Sequence, residues 1–124
     1  MKCAFPLGAC SILALLIAGP VRAADLPPVR FSRDILPILS ENCFQCHGPD
    51  EKARKAKLRL DTEAGARKVV TPKESDVSKL VLRVTADAEH VMPPAKSGKT
   101  LSDKQKDLLR RWIDEGAVWG KHGA

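Results

Sequence analysis

Tyrosine is absent from this chain, and aromatic residues make up only 4% of its 124 residues. So few large apolar side chains exclude a generous self-sufficient core, and a small domain of this kind calls for a staple. Long apolar runs are also missing. The longest, Ala9 to Ala18 with Leu13, Leu15, Leu16 and Ile17, is short for a membrane span of about 20 residues. Cysteine is scarce, at four residues: Cys3, Cys10, Cys43 and Cys46. Basic residues outnumber acidic ones, 21 to 15, but aromatics are not interleaved among them. That pattern excludes the stacking groove of a nucleic-acid binder. No repeat or low-complexity tract is present.

The N-terminus reads as a cleaved secretory signal over residues 1–23. Lys2 supplies the positive start, the apolar run follows, Gly19 and Pro20 break it, and Val21-Arg22-Ala23 offers small residues to a peptidase. A retained N-terminal anchor is the alternative. Leu7-Gly8-Ala9-Cys10 imitates a lipoprotein box only faintly, because most of the apolar segment follows Cys10 rather than preceding it. Cleavage after Ala23 removes Cys3 and Cys10 and leaves one domain of 101 residues, exported or periplasmic, with no stable membrane insertion. Loss of Lys2 and Arg22 lowers the formal net charge from +6 to +4. One closely spaced pair of cysteines is a poor disulfide framework, so another chemistry must use the sulfurs.

That pair sits in Cys43-Phe44-Gln45-Cys46-His47, the attachment pattern of c-type haem. Two thiols add across the two vinyl groups of one porphyrin, and two intervening residues let a single turn span them. The adjacent imidazole then reaches the iron from below. Attachment takes place outside the cytoplasm, in agreement with the signal. A thioredoxin-like pair would want a strand before the motif and a long helix after it, whereas Gly48-Pro49 follows here. Zinc would need four ligands, and Cys43, Cys46, His47 and His90 make an awkward tetrahedron. The iron's sixth position falls to Met92, the sole methionine after cleavage, in a loop stiffened by Pro93 and Pro94; His90 is the alternative. His122, near the C-terminus, reads as exposed. A thioether favours Fe(II) and raises the potential, and two occupied axial positions keep peroxide and oxygen away. The reading is therefore electron transfer rather than catalysis, with a peroxidase-like haem enzyme as the alternative if the sixth position is open.

The expected architecture is mainly α: three or more helices around one covalent haem. Residues 24–30, with Pro27-Pro28, form an extended leader, 31–120 the domain and 121–124 a tail. A first helix starts near Asp34 as cap and runs to about Cys43, with Pro37 in its first turn and Ile35, Ile38 and Leu39 on one side. A second carries the stripe Val77, Leu80, Val81 and Val84, capped from Thr71 or Ser75. Leu58-Arg59-Leu60-Asp61 alternates like a short extended piece. The last helix opens with a Ser102/Gln105 capping box, buries Leu108, Leu109, Trp112 and Ile113, and stops at Gly116. Trp112, Leu108, Ile38 and Phe44 are candidates for the haem pocket wall, ordinary helix packing being an even alternative for Trp112. Arg59 and Arg83 are candidates for holding the propionates. The basic run Lys52, Arg54, Lys55, Lys57 and Arg59 reads as a solvated face, or else as a docking patch for an acidic redox partner.

Taken together, Phe31–Leu39, Asn42–Asp50, Lys57–Asp61, Met92-Pro93-Pro94 and Leu108–Ile113 resemble the planctomycete-type cytochrome c domain, a class I c-type cytochrome. The resemblance implies haem c with its iron, thioethers at Cys43 and Cys46, proximal His47 and distal Met92. Such domains commonly begin much longer exported proteins suspected of roles in polysaccharide breakdown. The chain is then either a free-standing carrier or a fragment of a larger system.

Overall fold

The computed structural model describes residues 17–120. Most of the expected signal segment, with Cys3 and Cys10, and the tail 121–124 with His122 lie outside the described residues. Among those described there is no strand, so the mainly helical expectation holds. Five α-helices appear: α1 (Leu36–Asn42), α2 (Phe44–His47), α3 (Glu63–Ala66), α4 (Lys79–Val84) and α5 (Asp103–Asp114). None of these is long and apolar enough to cross a membrane.

The first helical stretch starts earlier than Asp34. A π-helical turn, Phe31–Ile35, leads directly into α1, and Arg30 is its cap residue. Asp34 reaches back from within that turn and accepts the Arg30 N–H at 2.8 Å. The wide turn also explains Pro37. The Leu36 N–H bonds to the Phe31 carbonyl five residues back, which gives the proline ring room in a chain already helical.

The second stripe is shorter than its sequence spacing implies. A 3-10 turn, Ser75–Val77, ends at Ser78, whose extended backbone interrupts the helix and serves as the cap of α4. Leu80, Val81 and Val84 are buried, but Val77 is 60% exposed. Neither Thr71 nor Ser75 caps it. Ser75 instead donates its hydroxyl to Asp114 at 3.0 Å. The fully buried Ser78 hydroxyl accepts the Thr71 N–H at 2.9 Å and donates to the Glu74 carbonyl at 2.9 Å.

Helix α5 follows its signposts. Ser102 and Gln105 form the reciprocal capping box. At the far end the Gly116 N–H bonds to Ile113 and the Ala117 N–H to Trp112, a Schellman closure with Gly116 at φ +111°. Its inner face packs against the 31–35 turn, the 75–77 turn and α4. Ile35, Leu39, Val81, Leu109 and Ile113 form the fully buried centre. Each such side chain contributes roughly 1.5–3 kcal/mol of burial. The leader is no loose tether. Glu115 accepts the Val29 N–H at 2.8 Å, and Arg111 donates to the Pro27 carbonyl at 2.9 Å, strapping it along α5.

Candidate functional site

Cys43 stands at the break between α1 and α2, its N–H still bonded to Leu39 at 2.8 Å. The Cys43 carbonyl then accepts the N–H groups of Cys46 at 3.1 Å and His47 at 2.8 Å. The motif is thus one helical turn, and residues three apart on a turn share a face. Both cysteines are free and half-buried. Burial pushes the Cys43 thiol up to about 11, against the opposing pull of the Lys99 ammonium. A redox-exchange cysteine carries a lowered pKa, which the Cys43 thiol lacks. His47 Nδ1 is buried with no hydrogen-bond partner. Two reduced sulfurs and an unsatisfied imidazole on one turn fit covalent haem. No group of three or more His, Cys, Asp or Glu among the described residues is arranged to hold a metal ion by itself.

The chain after the motif folds back onto it. Gly48 lies so close to the Phe44 carbonyl that no side chain fits. Lys55 N–H bonds to the Cys46 carbonyl and Leu60 N–H to the His47 carbonyl, each at 2.7 Å. Arg54 spans the carbonyls of Gly48 at 3.0 Å and Pro49 at 2.9 Å. This is where the expected extended piece lies. Leu58 to Asp61 forms no strand; it turns, burying Leu60, into α3, which Thr62 caps. The uses of Gly48 and Arg54 were missed on the sequence, although the Gly-Pro directly after the motif was a visible signal for a tight turn.

The remaining candidates are dispersed. Met92 lies in the expected loop, 38% exposed, its N–H bonded to the Arg83 carbonyl at 3.0 Å. The same loop ends where the Lys99 ammonium donates to the Glu41 carbonyl, two residues before Cys43. His90 is exposed, its Nδ1 2.7 Å from Asp87. Of the candidate wall residues, Ile38 is buried, Phe44 and Leu108 are partly so, and Trp112 is 2% exposed. Trp112 packs with Phe31 and Trp119 at ring distances of 5.7 and 6.0 Å and donates its indole N–H to Val118, so helix packing is the role seen. Arg59 is paired with Asp61 at 2.5 Å, and Arg83 lies 3.4 Å from the His90 carbonyl.

The strand-free helical fold of the described residues and this turn are consistent with a small cytochrome c-like domain. Residues 43–96 match the family described as Planctomycete cytochrome C, a span running from Cys43 past Met92. Covalently bound haem c with its iron and electron transfer are the attributes of such a domain. The first and last helices fall outside the matched span. No curated protein and no solved structure matches the chain.

Proposed function

We propose that this chain is an exported monohaem cytochrome that passes single electrons, with thioethers at Cys43 and Cys46, His47 as proximal ligand and Met92 as distal ligand. The observation that carries the reading is the Cys43–His47 turn, with two free thiols and a buried imidazole nitrogen lacking a partner. The sequence contains one such motif, hence one haem. Bound haem supplies a one-electron iron couple, and the residues around it hold the ligands fixed. Met92 is favoured over His90 because Asp87 already engages His90, and because Lys99 draws the Met92-bearing loop to the end of α1. Export rests on the signal pattern of residues 1–23 together with the site of haem attachment. The domain then spans 31–120, with the leader strapped to it.

The basic run divides. Arg54 and Arg59 are engaged within the fold, while Lys52, Lys55 and Lys57 are exposed. These three lysines, on the loop that covers the motif, suit docking of an acidic redox partner.

The exposure of Met92 favours a second reading, a peroxidase-like haem with an open sixth position. Two measurements decide. A haem stain on a denaturing gel detects covalent attachment, and a colourless band from matured protein ends both readings. In Met92→Ala, a carrier loses its low-spin spectrum and its potential falls. An unchanged spectrum would favour the open site.

A further inference from the structure

Met92 lies between two ties to different helices. On one side its N–H bonds to the Arg83 carbonyl of α4 at 3.0 Å. On the other, residues 94–99 form one bonded turn. Pro94 precedes the 3-10 turn Ala95–Ser97, and its carbonyl accepts the Ser97 N–H at 2.9 Å and the Ser97 hydroxyl at 2.6 Å. The Gly98 N–H returns to the Ala95 carbonyl at 3.2 Å, and the Lys99 N–H to the Ser97 hydroxyl at 3.3 Å. Only Pro93 separates Met92 from this unit. A proline fixes its own φ and restricts the residue before it, so the placement of the turn constrains that of Met92.

Lys99 aims the turn. Its half-buried ammonium donates to the Glu41 carbonyl, 58 positions away in the sequence. Helix α1 ends at Asn42, and the last carbonyls of a helix lack partners within it, so a cationic donor is favoured there. Cys43 follows at once, and the Lys99 charge is felt at its thiol. Folding of the loop has a separate anchor: Leu101, 4% exposed, is buried two residues on, just before the capped start of α5. Leu101 holds the chain to the core, whereas Lys99 alone directs it to the end of α1.

We infer that Lys99 is a positioning residue for Met92, latching the Met92-bearing loop to the helix end that leads into the Cys43–His47 turn. The inference rests on the haem and Met92 reading above. A methionine on a latched loop resists displacement from the iron. On a loop held only by α4 and Leu101 it yields more readily to an added ligand.

The test is imidazole binding to the oxidised, haem-loaded protein, in competition with Met92. Lys99→Leu removes the donor and keeps an apolar stem; Lys99→Arg restores a cationic donor; Lys104→Leu makes the same charge change at an exposed position of α5. Lys99→Leu is expected to bind imidazole about tenfold more tightly, the effect of one lost charge-assisted hydrogen bond. The other two variants should stay near wild type. The same gain in Lys99→Arg or Lys104→Leu would assign the effect to packing or to net charge and overturn the inference, as would an unchanged affinity in Lys99→Leu. Acetylation of the wild-type haem-loaded protein, read by mass spectrometry, depends on no variant folding. Lys99 should react more slowly than the exposed Lys96 and Lys104, and equal rates would also overturn the inference. Absence of covalent haem, or an open sixth position in the wild type, would instead defeat the proposed function. Met-ligated haem with wild-type imidazole affinity in Lys99→Leu would defeat only the role of Lys99.

Discussion

Gly48 directly follows His47, and its constraint is space rather than dihedral angle. Its backbone, φ −127° and ψ −158°, is extended and open to any residue. A Cβ placed there would lie 2.2 Å from the Phe44 carbonyl oxygen and 3.0 Å from its carbon. Both are backbone atoms of the Cys43–His47 turn, so no rotamer change relieves the overlap. Gly48→Ala must open α2 or push the following loop away, at the upper end of what overpacking costs, about 3 kcal/mol. In a domain of about 100 residues, each kcal/mol moves Tm by roughly 4–8 °C, which predicts a fall of roughly 12–24 °C. The same displacement shifts Cys46 and His47 relative to Cys43, so the yield of attached haem should fall as well. Gly98 is the internal comparison. Its φ is +70°, but a Cβ there meets nothing within 4 Å. Gly98→Ala should therefore cost only about 1 kcal/mol, from the left-handed backbone. Haem staining measures attachment, and thermal unfolding of the loaded protein measures stability. A Gly48→Ala protein that attaches haem fully and melts no lower than Gly98→Ala would refute the steric argument.

Further outcomes can be stated briefly. The Arg33 hydrogen bond, helped by the Arg30 N–H, holds the Asp34 carboxyl at about 2, below its ordinary 3.8. A depressed carboxyl stabilises the fold above its unfolded pKa and loses that contribution as pH falls toward its folded value. Because Arg33 is exposed, the contribution is about 1 kcal/mol. Asp34→Asn should lower Tm at neutral pH, with a gap that closes between about pH 4 and about pH 2; a gap independent of pH would refute this. Ser78→Ala removes the buried hydroxyl that accepts the Thr71 N–H and donates to the Glu74 carbonyl, and should cost about 1–3 kcal/mol, measured by denaturant unfolding. The small core predicts that protein without haem is poorly folded, and native-like helical circular dichroism in that form would count against it.

The site was legible unevenly. The turn that brings Cys43, Cys46 and His47 together could be read because residues three and four apart on one turn are neighbours. The Ser102/Gln105 box and Gly116 were equally plain, since caps depend on residues three or four apart. Val77 misled because apolar spacing cannot report that buried Ser78, satisfied by Thr71 and Glu74, breaks the helix between Val77 and Leu80. Asp34 was recognised as a helix-start residue, but its bond runs backward to Arg30 from inside the turn. Trp112 carried two readings of equal standing, which only its packing against Phe31 and Trp119 separates.

Local order along the chain thus determined the Cys43–His47 turn, the helical class and the last helix, because those interactions join neighbours and leave a pattern in the letters. Tertiary structure alone decided that Arg54 clamps the carbonyls after His47, that the leader is strapped to α5 and that Lys99 reaches the end of α1. These contacts join residues whose separation in sequence is not set by any periodicity. A guanidinium finds its acceptors through where the backbone turns, and the turn depends on Gly48 lying against Phe44.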